Sequence, residues 1–370
     1  MKKILIALIS TATVFFTVVF TLGFLTNKKK GDFQIAMVTD FSDVNDASFN
    51  QACFEAAKEW CSKYDIDFTF YKPSSYSAAE RVKSIRLAID RGYNMILCPG
   101  FALGEAIAKV APDHPEVKFL CIDIAKDDFK GYELDKNITV YNYYENLSGY
   151  LAGYAAVKDG YKNLSFVGGM EIPSVTRYGY GFIHGIDDAA QELKKDVEVQ
   201  FVYSNQFFGD SEIYKYVDNL YKVNKTEVIF SCGGSIYTSI ALASKENNGK
   251  MIGVDSDQAP IIDRDYEEGL CITSATKEIK KTVINKLEAY YTEGIWEENI
   301  NFLGLECYEH PEQNYVQLPL EHWRFDNFTI EEYKTLVQEI IDGKRDIPYE
   351  VTSRPETSDY TTVNYLKDIK

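Results

Sequence analysis

Short apolar segments alternate along the chain with longer segments in which apolar residues recur every three or four positions. The short segments favour strands and are flanked by Gly, Pro or Asp; they lie at 35–38, 95–98, 119–122, 164–167, 197–203, 228–231 and 251–254. The longer segments include 50–64, 78–92 and 145–158. This alternation predicts strand–helix–strand units on parallel sheets covered on both faces, and therefore an α/β fold.

Polar residues and glycines stand at the carboxyl ends of many predicted strands. The ends carry Asp40, Gly100, Asp123, Gly168, Gly233 and Asp255. Asp and Gly end strands well as turn residues, so any one of them is explained without a ligand. Ligands of open parallel sheets, however, bind beyond the carboxyl ends of the strands. Because these ends occur in two α/β blocks, one before about residue 141 and one after, we expect a shared cleft.

A long uncharged segment, residues 4–26, lies near the beginning of the chain between two groups of lysines. As a helix it would span about 33 Å, which is roughly one hydrocarbon core. The segment has no A-x-A-like cleavage site, and no Cys precedes Cys53, so no lipid-bearing Cys is present. We expect residues 1–30 to anchor the protein in a membrane, with a cleaved signal peptide as the alternative.

The composition excludes several classes of function. The chain has 56 Asp and Glu against 39 Lys and Arg, a net charge of −17, which repels a phosphate backbone and disfavours nucleic-acid binding. The four His and seven Cys are dispersed and form neither a zinc-ligand spacing nor a disulfide framework. We therefore expect no metal site.

Motifs of the common enzyme classes are absent from the sequence. There is no G-x-x-x-x-G-K-[ST], H-E-x-x-H or G-x-S-x-G. Gly179, Gly181 and Gly185 miss the dinucleotide-binding spacing by one residue and are interpreted as the beginning of a helix. Asp40 could act as a base and Lys277 as a Schiff-base amine, but neither has a nucleophile or His nearby in sequence. We expect neither an enzyme nor a cofactor.

The sequence at the predicted strand ends, taken in chain order, resembles that of the basic membrane lipoprotein family. The resemblance begins with IAMVTD at 35–40 and DASFNQ at 46–51, and its most distinctive block is FVGGMEIP at 166–173 with Arg177. Further matches lie at 100–101, 115–123, 150–153, 208–210, 233–234, 253–258, 273–277 and 341–348. Members of the family are substrate-binding proteins of ABC transporters, and the purine nucleoside receptors are the best understood.

The resemblance implies a type I periplasmic-binding fold, in which two Rossmann-like lobes are joined by three crossovers and close on a ligand like a hinge. Residues 31–140 and 256–298 would form the first lobe, and 141–255 and 299–350 the second. Residues 351–370 match nothing in the family and are expected to form a C-terminal extension. The implied protein is a monomer on the extracytoplasmic face of the cell membrane that delivers its ligand to an ABC permease.

Eight residues fall at positions where the family contacts its ligand. Asp40, Asn50 and Asp123 would meet the polar edge of the base; Phe49 and Phe208 would sandwich the base; Asp255 and Lys277 would hold the ribose hydroxyls; and Gly233 would allow a close approach of the backbone. Phe207 is the alternative to Phe208 as the second ring. A carboxylate can accept both hydrogens of a vicinal diol, and a lysine supplies donors.

The ligand implied by these positions is a nucleoside, with purine nucleosides favoured. Three aspartates against one lysine would repel a phosphate, so nucleosides are preferred over nucleotides. Two alternatives keep the same fold. In the first, the ligand is another aromatic molecule such as a flavin; in the second, the protein is an anchored ligand sensor that acts in signalling.

Overall fold

The computed structural model describes residues 33–40 and 43–370. The predicted anchor, residues 1–30, lies outside the described residues. Within the described part of the chain, none of the helices combines the length and apolar character needed to cross a bilayer.

The described residues contain thirteen strands and ten α-helices. The strands are β1 (Ile35–Val38), β2 (Phe68–Tyr71), β3 (Met95–Pro99), β4 (Lys118–Ile122), β5 (Ile138–Tyr143), β6 (Asn163–Gly168), β7 (Val197–Tyr203), β8 (Val228–Cys232), β9 (Lys250–Asp255), β10 (Cys271–Lys277), β11 (Asn299–Leu303), β12 (Val316–Gln317) and β13 (Thr361–Tyr365). The helices are α1 (Phe49–Tyr64), α2 (Ala78–Asp90), α3 (Gly104–Val110), α4 (Glu145–Asp159), α5 (Pro173–Leu193), α6 (Ser211–Lys222), α7 (Tyr237–Glu246), α8 (Ala259–Asp265), α9 (Ile279–Glu288) and α10 (Ile330–Ile341).

The strands form two sheets, one in each lobe. The first has the order β11-β5-β4-β3-β1-β2, and all of its pairings are parallel. The second has the order β12-β10-β9-β8-β6-β7-β13, and only the short β12 runs antiparallel to its neighbour. Buried apolar clusters cover both faces of each sheet. The predicted α/β class is confirmed.

Every strand predicted from an apolar segment is present, and the predicted helices correspond to α1, α2 and α4. Several further strands were not predicted. β10 is buried throughout, yet its sequence includes Thr273, Ser274 and Thr276. Because these hydroxyl side chains interrupt the apolar pattern, a search for short apolar segments does not recognise such a strand.

Two strands lie in the opposite lobe from the one expected. β10, within the predicted first lobe (256–298), pairs with β9 in the second sheet, and β11, within the predicted second lobe (299–350), pairs with β5 in the first. The reason is that the chain leaves the second lobe only after β10, whereupon α9 packs on α1 of the first lobe. The chain therefore crosses between lobes after β5, after β10 and after β11.

The segment 351–370, expected as an extension, contains strand β13. Its residues Thr361–Tyr365 pair in parallel with Val197–Phe201 of β7. They extend the second sheet at the edge that β7 would otherwise form.

Helices α4 and α5 cross at unusually short range. A Cβ added to Gly149, Gly153, Gly181 or Gly185 would lie 2.0 to 2.2 Å from a main-chain oxygen of the other helix. The interpretation of Gly179–Gly185 as a helix beginning is therefore wrong, because α5 begins at Pro173 and these glycines lie in its interior. Gly181 and Gly185 are explained by the close contact of the two helices, whereas a Cβ on Gly179 would lie 2.8 to 2.9 Å from the rings of Phe201 and Phe166.

Replacing Gly185 by Ala tests this contact. Helix propensity alone predicts that the variant is more stable by up to about 1 kcal/mol. The added methyl would instead lie 2.0 Å from the Tyr150 main-chain oxygen, and we expect such overpacking to lower the free energy of unfolding by about 1–3 kcal/mol. Urea unfolding followed by circular dichroism measures the change, and a stabilised variant would contradict the close-contact explanation.

Candidate ligand-binding site between the lobes

A cavity of about 550 Å³ lies between the two lobes at the carboxyl ends of their strands. Its lining includes all eight residues that the sequence singled out: Asp40, Phe49, Asn50, Asp123, Phe208, Gly233, Asp255 and Lys277. The structure thus brings the predicted residues together in one place. Whether each contacts a ligand in the expected role stays a prediction.

The charged residues of the cavity lie at the carboxyl ends of strands. Asp123 directly follows β4 and Asp255 ends β9, both with positive φ, 55° and 64°. This left-handed conformation is uncommon outside glycine but is tolerated by Asp at a turn. Lys277 ends β10, beside β9, and the register pairs its neighbour Thr276 with Asp255. Adjacent parallel strands therefore place an acid and a base side by side.

Lys277 connects the lobes through buried ion pairs. Its Nζ contacts the Asp123 carboxylate of the first lobe and lies 3.3 Å from Asp255 Oδ1 of the second. The Ser48 hydroxyl, from the first lobe, donates to Asp255 Oδ2 at 2.7 Å. Lys277 is 5% exposed and Asp255 7%. The cavity floor is thus a buried, hydrogen-bonded charge cluster with members from both lobes.

Burial and neighbouring charges compete in this cluster. Burial lowers the pKa of Lys277, but the carboxylates of Asp123, Asp255 and Glu145 outweigh it, so the pKa lies above its ordinary value and the ammonium stays charged. Burial raises the pKa of Asp123 to about 6, although Lys277 opposes the rise.

A second buried pair, Glu145 and Arg177, lies beside the cluster. Arg177 Nε donates to Glu145 Oε2 at 2.6 Å, and Glu145 is wholly buried. The guanidinium stacks on the Tyr349 ring at 4.6 Å. In the sequence, Arg177 stands out only as part of the block that resembles the family, and Glu145 is not among the predicted site residues. The signal was present, because Glu145 follows β5 as the other acids follow their strands, but β5 was not recognised as a strand.

Asp46 organises the beginning of α1. It accepts hydrogen bonds from the main-chain amides of Ser48, Asn50 and Gln51 at 3.0 to 3.1 Å, and from the Asn50 side-chain amide at 3.1 Å. Asn50 Oδ1 is left as a buried acceptor without a partner, and so is Asp123 Oδ1, among the residues that the structure describes. Buried acceptors without partners are costly, and donors of a ligand would satisfy them.

Aromatic rings line the remainder of the cavity. Phe49 lies beneath Lys277, whose Nζ is 4.8 Å from the ring centroid. Phe207 is half-buried and packs on Gly233, where an added Cβ would lie 3.0 Å from its ring. Phe208 is 60% exposed. The close approach expected at Gly233 is therefore made, in this structure, by the Phe207 ring.

Asp40 lies in a more exposed part of the cavity, at the end of β1. Arg81 Nε donates to the Asp40 main-chain oxygen at 3.1 Å and stacks on the half-exposed Tyr76 ring at 4.3 Å. Tyr76 was not singled out from the sequence, and neither was Tyr178, whose hydroxyl lies 3.5 Å from Asp255 Oδ1. Across residues 33–40 and 43–370, no group of three or more His, Cys, Asp or Glu side chains is placed to hold a metal ion.

The sequence of this chain is similar to those of known proteins over most of its length. The protein family Bmp, described as ABC transporter substrate-binding protein PnrA-like, matches residues 33–346. An ABC transporter nucleoside-binding protein, BmpA of Lactococcus lactis subsp. cremoris, is 31% identical over 247 residues, which cover 63% of this chain and 66% of that protein. The chain thus spans just under two thirds of that relative. A CD4+ T-cell-stimulating antigen of Listeria innocua is 25% identical over 275 residues, 71% of each chain.

Solved structures share the fold. A solute-binding protein of an ABC transporter system from Aeropyrum pernix K1 superposes with a TM-score of 0.70 at 20% identity, over 86% of this chain and 94% of that one. Another from Conexibacter woesei has a TM-score of 0.64 at 18% identity, over 86% and 99%. With two lobes, a cavity at their strand ends and a family match over most of its length, the chain belongs to the Bmp family of PnrA-like ABC transporter substrate-binding proteins.

Proposed function

We propose that the protein captures a nucleoside, purine nucleosides above all, between its lobes and delivers it unchanged to an ABC permease on the extracytoplasmic face of the membrane. The observation that carries the proposal is one cavity that combines flat aromatic rings with buried carboxylate, amide and ammonium groups. The name of the Lactococcus relative supports the ligand class. Relatives from Pyrococcus are named lipoproteins, which supports attachment to a membrane. We further propose that the protein acts as a monomer.

The charged floor suits the sugar and the polar edge of a base. Lys277 has three N–H donors, and the carboxylates of Asp123 and Asp255 account for two of them. Carboxylates that already share a lysine can accept further hydrogen bonds from vicinal hydroxyls, since each oxygen has two lone pairs. The partnerless oxygens of Asn50 and Asp123 offer acceptors for N–H groups of a base.

The aromatic side chains suit the faces of the base. Phe49 lies in the first lobe and Phe207 and Phe208 in the second, so lobe closure can place a planar ring system between them. Stacking of a base on an aromatic ring contributes about 1–3 kcal/mol in nucleic-acid binders. Rings supplied by opposite lobes would make this stacking depend on closure.

The charge balance disfavours phosphorylated ligands. Asp123, Asp255 and Glu145 carry three negative charges against the two positive charges of Lys277 and Arg177. A phosphate would add negative charge to a region that already has an excess and from which water is largely excluded. Nucleosides are therefore expected to bind more tightly than nucleotides.

Calorimetric titration of the purified protein with nucleosides, nucleobases, nucleotides and riboflavin tests the ligand class. We expect saturable binding of at least one purine nucleoside. The matching monophosphate should bind at least about tenfold more weakly, because of the excess negative charge. Absence of heat with every nucleoside would overturn the proposal, and tight binding of riboflavin alone would favour the flavin alternative.

Lys277→Met tests the ammonium as a ligand donor. We expect the affinity for the nucleoside to fall about 10- to 100-fold, the range for a lost hydrogen bond to a charged group. Lys280→Met is the matched control, because Lys280 is exposed and forms an ion pair with the exposed side chain of Glu59; the affinity of this variant should change less than about fivefold. Thermal unfolding of both variants separates lost binding from lost folding, and unchanged affinity in folded Lys277→Met would contradict the role.

The pH dependence of binding tests Asp123. Its raised pKa, about 6, means that the carboxylate takes up a proton as the pH falls through that value and loses an acceptor. If the ligand donates to this carboxylate, its affinity should fall by up to about tenfold per pH unit below 6. Titrations from pH 7.5 to 5 measure the effect. Asp123→Asn should remove this dependence, and an identical pH profile in that variant would contradict the assignment.

A further inference from the structure

The loop between β7 and α6, residues 204–210, supplies a run of cavity residues. Asn205, Gln206, Phe207 and Phe208 all line the cavity. Phe208 is largely exposed, and Asn205 has a positive φ of 59°. The position of these rings therefore depends on whatever fixes this loop.

The segment that follows β13 runs along β7 toward this loop. The Leu366 amide donates to the Phe201 main-chain oxygen at 2.8 Å, and the Ile369 amide donates to that of Tyr203 at 2.9 Å. The side chains of Leu366 and Ile369 pack on the apolar cluster around Val202. The segment thus follows β7 to its carboxyl end, where the aromatic loop begins.

The last residues of this segment then bind the loop. The Asn205 side-chain amide donates to Asp368 Oδ2 at 3.0 Å and to the Lys370 main-chain oxygen at 2.9 Å. Lys370 Nζ pairs with the Asp210 carboxylate and lies 3.3 Å from Glu212 Oε2. Residues 368–370 therefore contact both ends of the loop, at Asn205 and at Asp210.

Asp210 connects Lys370 to the aromatic residues. It caps α6, since its Oδ1 accepts from the amides of Glu212 and Ile213 at 2.9 and 3.0 Å. Its other oxygen accepts from Gln206 Nε2 at 2.9 Å, and the same nitrogen donates to the Phe208 main-chain oxygen at 2.6 Å. A continuous set of hydrogen bonds therefore leads from Lys370 through Asp210 and Gln206 to Phe208.

We propose that the end of the chain segment 366–370, through the side chains of Asp368 and Lys370, holds the loop 204–210, and with it the Phe208 ring, in place for stacking on the ligand; the Lys367 side chain takes no part in these contacts. Lys370 is the principal positioning residue. The segment lies beyond residues 33–346, the part of the chain that matches the family. A loop that is ordered before the ligand arrives loses less entropy on binding, and the gain is expressed chiefly as slower dissociation. The inference rests on the proposed binding of an aromatic ligand.

The experiment measures nucleoside affinity and dissociation rate in the full protein and its variants. Lys370→Ala should weaken binding about three- to fivefold, and the combined Asp368→Ala and Lys370→Ala variant about tenfold. Lys370→Arg, which keeps the charge, should restore most of the affinity. Lys367→Ala is the matched control, since it removes the same charge from an exposed side chain of the same segment; its affinity should not change.

A double-mutant cycle shows whether Lys370 acts through the ring. In a Phe208→Ala background, Lys370→Ala should have little further effect, because the group that it positions is gone. If Lys370→Ala lowers the nucleoside affinity of the Phe208→Ala variant as much as that of the unchanged protein, the inference is overturned. It is also overturned if Lys370→Ala by itself leaves the affinity unchanged. Thermal unfolding of each variant shows that the compared proteins are folded.

Hydrogen exchange in the ligand-free protein tests the inference independently of the proposed function. Lys370→Ala should accelerate exchange of the amides at 205–210 relative to Lys367→Ala, while amides of β6 and β8 stay protected. Unchanged exchange at 205–210 would overturn the positioning role. If no nucleoside binds the unchanged protein but exchange is accelerated in Lys370→Ala, the proposed ligand is overturned. The positioning of the loop by Lys370 is then still supported.

Discussion

The structure depends on the way in which Lys277 is held between two carboxylates. An ammonium buried at the end of β10 is tolerated because Asp123 and Asp255, together with nearby Glu145, offset the cost of burying it, and Lys277 in turn stabilises the carboxylates of Asp123 and Asp255. Asp123 belongs to the first lobe, whereas the other two belong to the second. The pairing therefore requires the strand ends of both lobes to face one another, and the interaction that makes the charges tolerable also creates the cleft.

This constraint explains the division of the cavity into two parts. The charged floor is buried and already hydrogen-bonded, so it presents fixed donors and acceptors to a ligand at little cost in reorganisation. The aromatic part is more exposed, and its rings come from segments that begin a helix or connect a strand to a helix. A ligand with a polar sugar and a flat heterocycle would be complementary to both parts, and this complementarity is the basis of the proposed nucleoside ligand.

The sequence predicted much of this arrangement because strand ends are local features. An Asp or Gly directly after a short apolar segment is visible without a structure, and all eight residues chosen in this way and by family resemblance line the same cavity. Glu145 was missed for the same reason that β5 and β10 were missed. Buried strands that contain Thr, Ser, Asn or Tyr do not show an apolar pattern. Inside the fold some of their polar groups are hydrogen-bonded, as Asn142 Nδ2 is to the Ile124 main-chain oxygen and Thr276 Oγ1 to that of Gln317.

The sequence by itself determined the α/β class, the excess of acidic residues and the residue types at the strand ends, because these follow from local periodicity and composition. Tertiary structure alone decided that β10 and β11 lie in the sheets opposite to those expected. It likewise decided that glycines of α4 and α5, such as Gly149 and Gly185, lie where the two helices are in close contact. It also decided that residues 366–370 reach the loop 204–210. Each of these depends on pairing between segments far apart in the chain, and local patterns carry no information about which distant partner a segment meets.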